Sequence, residues 1–208
     1  MGRIILAFII GGIALIVFGA REMMLGRVAK PTPQEMTCSQ LCTSGPGDNA
    51  HIAMTEFIPC TFSCVVKESK RRSSWAGAWV PLVPRDGDYA KTLMAMVDEN
   101  GEIDGELPVP QDVKVVAWVP KARDEADLLR LEGTTRLQGM VINEISGLGT
   151  KERQLLQQSY PQSNFNTCYV FEVGRTPTGI AGSVGMIAGG AAVAGLPIGL
   201  MVLRRRNG

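Results

Sequence analysis

Histidine is almost missing from this chain: His51 is the only one in 208 residues. A Ser/His/Asp or Cys/His catalytic arrangement therefore has a single candidate base, and no nucleophile elbow lies near it. His51 is read as a structural or surface residue. Phosphate-binding loops are missing too. Gly147, Gly149 and Lys151 lie in GLGTKE, which lacks the G-K-[ST] of a P-loop and the third glycine of a dinucleotide fingerprint. Asp98, Asn100 and Glu102 begin like a calcium loop, but Ile103 stands where the sixth position needs Gly and Val109 where the twelfth needs Glu. No spacing singles out a pair among the 20 acidic residues for acid/base work. These absences leave no catalytic residue, no cofactor and no metal to assign, and they weigh against an enzyme.

Acidic residues are absent from both ends, and what stands there instead is apolar. Ile4 to Ala20 reads IILAFIIGGIALIVFGA between Arg3 and Arg21, close to the ~20 residues a helix needs to cross a bilayer. Gly179 to Leu203 is uncharged and stops at Arg204, Arg205 and Arg206. A secretory signal has a shorter apolar run, ~7 to 15 residues, and a small-residue cleavage site, so residues 4–20 and 179–203 are both predicted as transmembrane helices. Gly185 with Gly189 and Gly195 with Gly199 make two G-x-x-x-G pairs, which let helix backbones approach closely, so the helices are expected to pack on each other or on a partner. Pro197 is expected to kink the second helix.

Three arginines after the second span draw the C-terminus, residues 204–208, to the cytoplasm, and two spans then bring the N-terminus there. The domain between them would be extracytoplasmic. Leaving Arg3 and the tail arginines out of the 21 basic residues sets 17 against 20 acidic ones, a net of −3. Such a domain is no binder of nucleic acid.

Five cysteines follow the first span. Cys38 with Cys42 and Cys60 with Cys64 form two C-x-x-x-C pairs, and Cys168 stands apart. In an exported domain the four read as a disulfide framework; in a cytosolic one they suggest a zinc site instead. With Thr61 to Val66 taken as a strand, Cys60 and Cys64 would lie about 13 Å apart. Each is therefore expected to bridge to Cys38 or Cys42, leaving Cys168 a buried thiol.

Residues 21–50 hold Pro31, Pro33 and Gly45-Pro46-Gly47 and read as a tether carrying the first cysteine pair. Residues 51–174 read as an α+β domain with an antiparallel-rich sheet and two short helices. His51 to Phe57, Thr61 to Glu68 and Trp75 to Val83 are taken as antiparallel neighbours, the last two joined by a loop at Lys70 to Arg72. Asp86 to Pro110 is a weakly ordered interval with an Asn100-Gly101 turn. Val113 to Val119 is the clearest strand, and Pro120 ends it. Arg123 to Glu132 suits a helix, Thr135 to Ile145 a strand, Thr150 to Tyr160 a capped helix and Cys168 to Val173 a last strand. Trp75, Trp79, Trp118, Phe57 and Phe62 are expected to pack in the core.

The stretch Arg136 to Pro161, RLQGMVINEISGLGTKERQLLQQSYP, followed by the strand at Cys168, resembles a pattern of uncharacterised two-span bacterial membrane proteins. The span, exported domain, span layout, with Trp118-Val119-Pro120 before a helix, is similar to the Surfeit-type factors that help assemble cytochrome oxidase. That second resemblance covers layout and a tripeptide; the second span lacks the His and Trp expected of that family, and no functional residue is carried over. The expectation is a bacterial inner-membrane protein, integral to the membrane, whose exported domain acts as a non-enzymatic scaffold or assembly factor for a protein partner or a second copy. The alternative is a thiol–disulfide or metal-handling protein using Cys38, Cys42, Cys60 and Cys64.

Overall fold

The computed structural model describes the backbone of residues 2–69, 74–97, 105, 107–143 and 147–206, and side chains over the same residues apart from 2–4 and 198–206. The uncharged ends form long helices, α1 (Gly2–Val28) and α6 (Ile180–Arg206), because nothing in either run breaks the backbone ladder except Pro197, inside α6. Both contain stretches long and apolar enough to cross a membrane, Ile5–Val28 and Ile180–Pro197. Only 17% and 11% of those stretches is buried, which separates them from the core helix of a soluble protein.

The two helices pack on each other. Their meeting line runs through Gly12 against Gly190, Gly19 against Ser183 and Ile187, and Gly26 against Thr178. As one residue number rises the other falls, so the pair is antiparallel. Near the end of this line the Thr178 hydroxyl donates to the buried Glu22 carboxylate at 2.7 Å.

Residues 32–176 form a separate compact unit. Its strands are β1 (Gln34–Thr37), β2 (His51–Thr55), β3 (Phe57–Pro59), β4 (Val65–Glu68), β5 (Trp75–Pro84), β6 (Val115–Val119), β7 (Arg136–Val141) and β8 (Tyr169–Val173). They make one mixed, near-barrel sheet in the order β1-β2-β7-β8-β6-β5-β3, with β4 also on β5. The pairs β1–β2 and β6–β8 are parallel and the rest antiparallel. The domain is α+β, and its short helices are α2 (Cys38–Ser44), α3 (Asp88–Ala95), α4 (Glu125–Glu132) and α5 (Thr150–Ser159). Of these, α4 and α5 are the two that the sequence predicts.

Alternation along the strands sends Ile52, Met54, Val80, Leu82, Val115, Ala117 and Phe171 into one core, which Leu41 of α2 and Leu128 and Leu131 of α4 cover. Apart from Ala117, each such side chain contributes about 1.5–3 kcal/mol on burial. Pro81 is tolerated in β5 because β3 pairs only with Leu82–Pro84 and β4 only with Trp75–Trp79. A strand residue turns its N–H and C=O to the same side, and the Pro81 carbonyl accepts from the Cys60 N–H at 2.9 Å. The missing donor therefore falls in the gap between β3 and β4.

Several local expectations change. Strand β2 does not neighbour β4; it lies between β1 and β7, at the other end of the sheet order. Residues 61–63 form a 3₁₀ turn instead of a strand. The interval from Asp86 holds α3, and the tether holds β1 and α2. The acidic stretch Asp98 to Ile103, its Asn100-Gly101 turn and the Lys70 to Arg72 loop lie outside the described residues.

Candidate functional site

Helix α2 begins with a reciprocal cap. The Gln40 N–H donates to the Thr37 hydroxyl at 3.1 Å, and the Thr37 N–H donates to the Gln40 side-chain carbonyl at 2.9 Å. This capping box satisfies two amides that a helix start otherwise leaves open. Gly45, in the left-handed region at φ 69°, ends the helix, its N–H donating to the Leu41 carbonyl. Cys38 and Cys42 thus lie one turn apart on the same helical face.

Burial divides their roles. Cys38 is fully buried in the core and Cys42 is half-buried. The two thiols perturb each other: their interaction lowers the Cys42 pKa and, with desolvation, raises that of Cys38. Burial opposes the ionisation of Cys42, the Lys114 ammonium favours it, and Asp112 and Asp86 oppose it more weakly. Lys114 is itself held 3.1 Å from Asp112. Cys42 and Lys114 line a cleft of about 740 Å³ together with Thr43, Tyr89, Thr92 and Pro108.

The second pair is built differently. Cys60 and Cys64 flank the 3₁₀ turn at residues 61–63, Cys60 buried and Cys64 half-buried. Desolvation pushes the Cys60 thiol up to about 12 beside Tyr160, and burial raises Cys64 as well. The Tyr160 phenol is held far above its ordinary value by burial and by Cys60, and Tyr89 reaches about 12 for the same reasons in the same order. Cys168 is buried and pushed up to about 11 by desolvation, its thiol donating to the Phe165 carbonyl at 3.4 Å.

All five cysteines are free thiols here, so the expected cross-bridges between the pairs are not formed. The physical reason for the difference lies in two local structures. The first pair stands on a helix rather than a tether, which places Cys42 one turn from Cys38 on the same face. A turn rather than a strand separates the second pair, which removes the 13 Å argument against its own closure. Among the described residues no three His, Cys, Asp or Glu side chains gather as metal ligands.

The chain matches no protein-family model, no curated protein and no solved structure.

His51 is buried; its amide donates to Asn49 Oδ1 at 3.1 Å and its ring lies 3.2 Å from the Gln138 amide, a structural setting. Phe57 is buried and Trp75 packs on the core. Trp79 and Trp118 pack with ring centroids 4.6 Å apart and planes tilted by 39°, with Lys67 over the Trp118 ring, while Phe62 is exposed rather than packed in the core. An added Cβ at Gly185, Gly189 or Gly195 would meet nothing within 4 Å, whereas the close approach of the two helices uses Gly12, Gly19 and Gly190; the side-chain position of Gly199 lies outside the described residues. A second cleft, of about 460 Å³, opens between β4 and α5 and is lined by Val66, Lys67, Trp79, Lys151 and Leu155. Lys114, Tyr89 and Tyr160 were not singled out by sequence reasoning, since only long-range folding brings them to the cysteines. The T-x-x-Q of Thr37 and Gln40 was the one local signal that pointed to α2.

Proposed function

We propose that the protein is a two-span scaffold of the bacterial inner membrane, with both termini cytoplasmic and an exported domain that binds an extended segment of a protein partner. The observation that carries this reading is the open edge of β4. Among the described residues β4 pairs on one side alone, with β5. Its other side offers backbone donors and acceptors to an added strand. Apolar side chains lie beside that edge: Val66 of β4 is 36% exposed and Leu155, across the cleft, 38%. The 460 Å³ cleft beside them offers room for an alternate side chain of the added strand. The two packed helices supply attachment, and the three tail arginines supply orientation.

A photo-crosslinking residue at position 66, used in native membranes, tests the reading. A discrete adduct with another protein is expected, and Val66→Glu should remove it while leaving the fold intact. A monomer that yields no adduct would overturn the proposal.

A further inference from the structure

The first cysteine pair has features that partner binding does not use. Cys42 opens into the 740 Å³ cleft, whereas Cys38, one helical turn away on the same face, is fully buried. Residues four apart on a helix have Cα atoms about 6 Å apart, inside the roughly 4.4–6.8 Å that a disulfide tolerates. Neither Cys60 nor Cys64 lines this cleft.

We propose that Cys42 and Cys38 form a thiol–disulfide exchange site, in which Cys42 attacks a disulfide entering the cleft and Cys38 resolves the product. The Cys42 thiolate forms a bond to one sulfur of the substrate as the substrate S–S bond breaks and the first thiolate leaves. Cys38 then gives up its proton to that released thiolate and attacks Cys42 Sγ. The Cys38–Cys42 bond forms, the mixed disulfide breaks and the second thiolate departs. Two electrons have passed from the dithiol to the substrate, and an external dithiol restores the pair. Lys114 supports the attacking thiolate, against Asp112 and Asp86 on the same side of the balance as burial.

Two measurements on the full chain in detergent test this. First, alkylation with iodoacetamide at pH 7, followed by mass mapping, should label Cys42 about tenfold faster than any other cysteine, since thiolate rather than thiol reacts. The pH midpoint of that labelling should lie below the ordinary thiol value. Second, Cys38→Ser should trap a mixed disulfide at Cys42, with glutathione disulfide in one arm and a disulfide-bonded peptide in the other; Cys42→Ser should trap none. Trapping of glutathione alone assigns small disulfides, and trapping of the peptide assigns polypeptide ones. Labelling of Cys42 no faster than that of Cys64, or oxidation that links Cys38 to Cys60, would overturn the proposal without any variant having to fold.

Discussion

Gly12 and Gly190 meet so closely that a methyl group on either would stand 2.6 to 2.7 Å from the carbonyl oxygen of the other. Neither backbone can yield without moving its helix. Two long helices therefore touch along a line of small residues, as helices in a membrane do when packing rather than water exclusion holds them.

Gly12→Leu or Gly190→Leu should force α1 and α6 apart. Overpacking of this kind costs about 1–3 kcal/mol, while Gly185→Ala, where an added Cβ meets nothing within 4 Å, should be close to neutral. Engineered cysteines along the meeting line, scored for crosslinking in membranes, check the difference. Equal crosslinking in Gly190→Leu and Gly185→Ala chains would contradict the packing.

Gly77→Ala should damage the sheet domain. Gly77 has φ 150°, and an added Cβ would collide with the Trp118 ring, which is packed against Trp79. Overpacking and a left-handed backbone together should cost more than about 2 kcal/mol. All three tryptophans lie in this domain, so denaturant titration followed by tryptophan fluorescence reads the loss directly.

The domain should lose stability in alkali. The Cys60 thiol sits at about 12 in the fold against 9.0 for an ordinary thiol, so between those values the folded protein keeps a proton that the unfolded chain releases. Stability is then complete below pH 9 and falls as pH rises towards 12. Fully expressed, the effect is about 4 kcal/mol at 1.36 kcal/mol for each pH unit. Tyr89 and Cys168 act in the same direction. Denaturation midpoints between pH 8 and 11 should decline less steeply in Cys60→Ala; parallel declines would refute the assignment to Cys60.

Elements with strong local patterns were legible in the sequence. The apolar ends, the Val115–Val119 core of VKVVAWV, the leucines of α4 and the CYVFEV strand each state their conformation within a few residues. Failures came where distant pairing decided. Gln34–Thr37 is a strand only because β2 lies beside it in parallel register, and that partner is invisible from a segment rich in breakers. In the first cysteine pair, Pro and Gly on both sides concealed a seven-residue helix that its capping box defines. The expected pairing of the cysteines rested on extended chain at both pairs, and extended chain and helix give opposite answers about which sulfurs meet.

Protease added to sealed membrane vesicles of known orientation tests the account at its centre. A two-span protein with both termini in the cytoplasm predicts that residues 32–176 survive protease on the cytoplasmic face and are cut only when the opposite face is exposed. Digestion of that domain from the cytoplasmic face, with the vesicles shown to be intact, would contradict it.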